Sequence, residues 1–169
     1  MKKSVLVLFA FILLAASCSA PGGVERALPL EEFTIVGTDD TYELRQTGQP
    51  RALNLWATWC APCRAELPDF DDVAGRVEGV EIVGINVGET SDQASDLIEE
   101  LNLSFLQVLD PQASMQTNLR ITGMPATIFV DEDGEILQIQ SGELNIEELE
   151  TILVDLFDAT FSTPSSDDA

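Results

Sequence analysis

The feature that most constrains this chain is Cys60-Ala61-Pro62-Cys63, placed where one apolar strand ends and a helix begins. Arg51 to Ala57 reads as a buried strand, and the stretch from Cys63 to about Arg76 reads as a helix. Two cysteines three apart at a helix start can close a small disulfide ring with little backbone movement. The first sulfur then lies where free amide N–H groups and the helix dipole favour an anion. The thiolate is the attacking species, and such placement can bring a cysteine pKa from about 8.5 into a range of about 3.5 to 7.5. Cys60 is therefore the candidate nucleophile and Cys63 the resolving thiol, which releases a mixed disulfide by attacking it. A zinc knuckle would need two further ligands, and the chain has neither a second cysteine pair nor a histidine. A purely structural disulfide is the competing reading, although a ring this small removes little loop entropy.

Composition narrows the chemistry further. The 169 residues include 30 acidic side chains, 8 basic ones and no histidine. Ser/His/Asp and Cys/His catalysis and His-ligated zinc or haem are excluded. Nucleic acid is excluded as a partner, because neutralising phosphates takes clustered Lys and Arg. The apolar share of 45% suffices for a core.

Both lysines, Lys2 and Lys3, precede the apolar run Val5 to Ala16, which ends in Ala15-Ala16-Ser17-Cys18. A basic start, a short apolar stretch and small residues are the three parts of a secretory signal. The run is shorter than the roughly 20 residues that span a bilayer. Cys18, directly after the small residues, resembles the lipidated cysteine of a bacterial lipobox, although Ala15 stands where leucine is usual. Plain cleavage after Ala20 and an uncleaved anchor are the alternatives. The expected location is the extracytoplasmic side of a bacterial membrane, held by a lipid on Cys18. Without residues 1–17 the chain has six arginines against 30 acids, a charge of −24 and no lysine. Cys60 and Cys63 then remain as a pair.

The expected organisation is a signal peptide over 1–17, a Pro/Gly-containing tether over 18–30, one domain over 31–158 and a disordered acidic tail over 159–169. Phe33 to Val36 and Tyr42 to Leu44 flank a polar turn and suggest a leading hairpin. Val80 to Val87 reads as an interior strand covered on both faces. Ala94, Leu97, Ile98 and Leu101 recur at helical spacing within Ser91 to Asn102. A strand over Phe105 to Leu109 and a short helix around Met115 to Leu119 follow. Ala126 to Val130 and Ile136 to Gln140 are joined by Asp131-Glu132-Asp133-Gly134, a good hairpin turn. Ile146, Leu149, Ile152, Leu153 and Phe157 stripe a closing helix. This order implies an α/β domain with a mixed sheet.

Two prolines complete the pattern. Pro68 falls inside the helix after the cysteines, where it removes a backbone hydrogen bond. Met124-Pro125, at a strand entrance, is either a cis peptide bond or an ordinary trans edge proline.

The segments NLWATWCAPC (54–63), GMPAT (123–127) and DEDG (131–134) together resemble the thioredoxin superfamily. With VEIVGINVGET (80–90) and Glu66-Leu67-Pro68, the chain is similar, more narrowly, to the ResA/TlpA-type exported thiol-disulfide oxidoreductases. The resemblance runs from about residue 30 to 158. It implies a thioredoxin-like fold with an N-terminal hairpin and a helix-strand insertion at about residues 89–110. It also implies Cys60 and Cys63 as the redox pair and Pro125 as a cis-proline facing them, with Trp59, Ala61, Pro62 and Met124 as supporting positions. Cytosolic thioredoxins hold a buried aspartate six residues before the first cysteine, whereas this chain has Asn54 there. The resemblance places Glu66 as an acidic residue near the pair; one helical turn beyond Cys63 it can face the same side and serve as proton shuttle for Cys63, the alternative being a solvated helix glutamate.

The function implied is reduction of protein disulfides outside the cytoplasm. Haem-attachment cysteines of apocytochrome c are one substrate, a membrane thiol carrier is the electron donor, and no cofactor is needed beyond the redox-active disulfide. Ala61-Pro62 looks nearer to the Gly-Pro of reducing thioredoxins than to the Pro-His of oxidising proteins. The alternatives are a peroxiredoxin-type peroxidase and a Sco-type copper-delivery protein. The first places threonine or serine three residues before its cysteine, where this chain has Ala57, and the second uses CxxxC with a histidine.

Overall fold

The computed structural model describes residue 28, residues 32–45 and residues 48–162. The signal segment, Cys18, most of the tether and residues 163–169 lie outside the described residues. The chain opens with the hairpin β1 (Glu32–Ile35) and β2 (Thr41–Glu43) and continues through β3 (Arg51–Trp56) into α1 (Ala61–Ala74). After the short β4 (Val77–Glu78) come β5 (Glu81–Val87), α2 (Ser91–Leu101), β6 (Leu106–Asp110) and α3 (Ser114–Leu119). The hairpin β7 (Ala126–Val130) and β8 (Ile136–Ser141) leads to α4 (Ile146–Phe157) and β9 (Thr160–Phe161).

Seven strands form one sheet in the order β2-β1-β6-β5-β3-β7-β8. β3, β5 and β6 run parallel, whereas β7 pairs antiparallel with β3 and β1 antiparallel with β6. The parallel centre explains why every residue of β3 is buried. Side chains alternate between two apolar layers. Ala52, Trp56, Ile82 and Phe129 pack with α1, α2 and α4, while Leu53, Leu55, Val83, Ile85 and Ile128 pack with α3 and the leading hairpin. The thioredoxin-like architecture expected from the sequence is present, and the helix-strand insertion is α2 with β6, which widens the sheet between β5 and β1.

Local chemistry sets the element ends. Thr90 and Asn145 cap α2 and α4 through reciprocal bonds with Gln93 and Glu148. α2 stops at Asn102, whose left-handed φ of 52° an asparagine tolerates. α1 runs unbroken through Pro68.

Two boundaries differ from the expectation. Leu28, assigned to the tether, is buried in the layer with Phe33 and Leu44. The tail does not begin at 159, because β9 pairs with β4 and the Ser162 N–H donates to the Arg76 carbonyl (2.9 Å). Arg76 is the organising residue: its guanidinium bonds Asp72 (2.7 Å) and Glu150 and lies over the Phe161 ring. A two-residue strand held this way carries no periodicity for a sequence reading to find.

Candidate active site

β3 delivers the chain to the C-terminal edge of the sheet, and Ala57 to Trp59 turn it into α1. Cys60 is the N-cap of that helix, and its Sγ accepts the Cys63 N–H at 3.3 Å. Pro62 stands in the first turn, where its missing N–H costs nothing. The two sulfurs are bonded, with S–S 2.00 Å and Cα–Cα 5.3 Å. Cys60 keeps 5% of its surface and Cys63 none, while the neighbouring Trp59 is 70% exposed. An incoming thiol or disulfide therefore reaches Cys60 before Cys63. The first turn of α1 holds no carboxylate in a chain with 30 acids. An anionic Cys60 sulfur would thus face amide N–H groups and the helix dipole without a like charge in that turn.

The loop before Cys60 is clamped from β5. Glu89 follows Gly88, whose φ of +76° turns the chain at the strand end. Its carboxylate accepts the Thr58 N–H (2.8 Å), the Thr58 hydroxyl and the Asn86 Nδ2 (2.8 Å). A second buried bond ties Trp56 Nε1 to Gln107 Oε1 (2.9 Å) across β5. Gly84 makes this bridge feasible, since a Cβ there would lie 1.9 Å from Gln107 Oε1.

Glu66 is buried, at 3% exposure, between the sheet and the loop preceding α4. Oε1 accepts Asn54 Nδ2 (2.8 Å) and Oε2 accepts the Leu144 N–H (2.9 Å). Asn54 Nδ2 also reaches Thr127 Oγ1 (3.3 Å). Burial pushes the Glu66 carboxyl up to about 7, further raised by Glu143 and Asp69, while the Asn54 and Leu144 bonds pull the other way. A carboxyl of this kind holds or releases a proton near neutral pH.

The Met124–Pro125 peptide bond is cis. β7 begins at Ala126, which pairs with Leu55, so this bond lies at the same sheet edge from which the Cys60 loop leaves β3. Met124 packs against the layer that contains Cys60 and Cys63. Among the described residues, no group of three or more His, Cys, Asp or Glu side chains could hold a metal ion.

The structure thus brings together Trp59, Cys60, Ala61, Pro62, Cys63 and Glu66, with Met124 and Pro125 at the same sheet edge. Glu89, Gln107 and the Asn54 partnership of Glu66 were not anticipated. Their signal was polar residues within or ending otherwise apolar strands, since parallel α/β sheets carry their sites at strand C-terminal ends.

A mixed sheet with a helix-capping CxxC disulfide and a cis-proline at the adjoining strand defines the thioredoxin-like class of thiol proteins. Residues 27–139 match the AhpC/TSA family. The thiol-disulfide oxidoreductase ResA of Oceanobacillus iheyensis is 36% identical over 111 residues, covering 64% of this chain and 58% of the relative. The thiol:disulfide interchange protein DsbE of Haemophilus influenzae is 34% identical over 125 residues, covering 72% of this chain and 68% of the relative. The crystal structure of StoA from Bacillus subtilis superposes with a TM-score of 0.61 at 25% identity, covering 73% of this chain and 96% of that one. The chain belongs to the AhpC/TSA family, among its thiol-disulfide oxidoreductases of the ResA and DsbE type. The match spans a little over half the length of the ResA relatives, 58% in each of two.

Proposed function

We propose that this chain is a reductase of protein disulfides outside the cytoplasm. The observation that carries the reading is the Cys60–Cys63 disulfide at the α1 N-terminus, with its more accessible sulfur beside the exposed Trp59. In the dithiol form, the Cys60 thiolate attacks a substrate disulfide. A Cys60–substrate S–S bond forms, the substrate bond breaks, and the leaving sulfur takes a proton. Cys63 passes its proton to Glu66 and attacks Cys60 Sγ, closing the Cys60–Cys63 bond and releasing the second substrate sulfur as a thiolate, which takes a proton from water. In this reading Trp59, next to Cys60, and Met124 and Pro125, at the same sheet edge, shape the surface where the substrate lies, while Ala61 and Pro62 fix the ring. An external dithiol, supplied by a membrane thiol carrier, returns the disulfide to the reduced state.

Export is supported by the basic and apolar N-terminal segment, and membrane attachment by the position of Cys18 after small residues. The likeness to ResA and DsbE supports haem-attachment cysteines of apocytochrome c as one substrate. The test is insulin reduction beside hydroperoxide reduction and copper titration, together with Cys63→Ser to trap substrates on Cys60. Activity is expected only on insulin. A potential near DsbA's roughly −120 mV, rather than near thioredoxin's roughly −270 mV, would overturn the reductase direction.

A further inference from the structure

Glu66 is buried, yet it lines a solvent-open cleft of about 340 Å³ between α1 and the loop leading into α4. Asp69, one turn further along α1, and Glu143, next to the Leu144 amide that binds Glu66, share its walls with Glu148 of α4. Among the described residues, no cationic side chain lines it, and neither do Trp59, Cys60, Met124 or Pro125. The cleft is therefore separate from the surface that a substrate covers when it bonds to Cys60.

We propose that Glu66 exchanges its proton with solvent through this cleft, so that proton transfer to and from Cys63 continues while substrate occupies Cys60, and that Asp69 and Glu143 set how firmly Glu66 holds the proton. This rests on the reading of Glu66 as the acid serving Cys63. The groups facing Glu66 are Asn54 from β3, Asp69 from its own helix, Glu143 and the Leu144 amide from the loop, and Glu148 across the cleft. The two bonds from Asn54 and Leu144 favour the carboxylate, whereas the neighbouring acids favour the neutral form. Glu148 already accepts the Asn145 N–H within its capping box. That leaves Asp69 and Glu143 as the adjustable charges. When Cys63 gives up its thiol proton, Glu66 goes from carboxylate to acid. When that proton leaves through the cleft to water, the carboxylate returns and no electrons move.

The route is tested by carboxyl NMR titration of Glu66 in Cys63→Ser, free and as a mixed disulfide with a cysteine-containing peptide on Cys60. The same midpoint and one fast-exchanging signal are expected in both. A midpoint moved by trapping, or a signal split into slowly exchanging forms, would overturn the route. The setting of the proton is tested in otherwise unaltered protein with Asp69→Asn, Glu143→Gln and the double variant. The Glu66 midpoint is expected to fall by about half a pH unit or more in the double variant, with the pH profile of insulin reduction moving alongside. An unmoved midpoint in a double variant with unchanged far-UV dichroism would overturn the role of the two acids. Glu66→Gln separates this from the reading beneath it. If that substitution alters the pH profile, Glu66 keeps its role whatever the cleft variants do, and if it leaves the profile unmoved, the role of Glu66 fails together with the cleft.

Discussion

Replacing Glu66 by glutamine should invert its effect on stability as pH rises. In the folded chain the carboxyl is pushed from an ordinary 4.5 up to about 7. Below 4.5 both folded and unfolded chains hold this proton and nothing is lost. Between these values the unfolded chain releases it while the folded chain keeps it, so stability falls as pH climbs. At about 1.4 kcal/mol per pH unit, the interval from 4.5 to about 7 amounts to about 3 kcal/mol lost by pH 8. Glu66→Gln carries no such term. It does lose one of the two bonds from Asn54 Nδ2 and the Leu144 N–H, because an amide presents one acceptor, at a cost of about 1–2 kcal/mol. The variant should therefore be less stable than the parent at about pH 4.5, more stable at about pH 8, and equal to it near about pH 6. Urea unfolding of the oxidised proteins across that range, at fixed ionic strength, measures the difference. The other acids are common to both chains and cancel. A difference constant across the range would refute the reasoning, since Glu66 would then ionise alike in both states.

Three further perturbations follow from the site. Glu89→Ala strips the acceptor from Thr58 and Asn86 and should lower the unfolding free energy by about 2–4 kcal/mol, read by urea unfolding; a loss under about 0.5 kcal/mol would leave the clamp without energetic weight. Gly84→Ala forces Gln107 off Trp56 Nε1, because the new Cβ would stand 1.9 Å from Gln107 Oε1, and should cost about 2–3 kcal/mol with an altered tryptophan near-UV signal. Asn54→Asp places a second carboxyl against Glu66 Oε1, so the pair should retain one proton to a pH above about 7, visible as a raised upper midpoint in carboxyl NMR; a lowered midpoint would contradict the assignment.

Most of the fold was legible because its signals are local. β3 and β5 are mostly apolar runs, α2 and α4 carry one apolar stripe, and Asp133-Gly134 marks the turn between β7 and β8. The redox pair was legible for the same reason, being four consecutive residues at a strand-to-helix junction. What the sequence hid are pairings across the sheet. Asn54 and Glu66 are twelve residues apart, Thr58 and Glu89 thirty-one, Trp56 and Gln107 fifty-one. No spacing rule links such residues, because the link is made by strand order, here β6-β5-β3. β9 escaped for a related reason: its partner β4 is over eighty residues upstream, and each strand is only two residues long.

The pairing of Asn54 with Glu66 follows from the same topology. A carboxyl at position 54 would hang from a central strand, enclosed by β5 and β7 on either side. Glu66 approaches the same spot from the helix, where Asn54 becomes a neutral donor to it and the Leu144 amide supplies a second bond. Desolvation still outweighs both bonds, which is why the group sits near neutrality rather than low in the carboxylate range. The helix position adds what the strand position lacks, a wall on a cleft open to water. An acid in this place is dry enough to titrate near neutrality and still borders water, the two conditions that the proton transfer proposed for Cys63 requires.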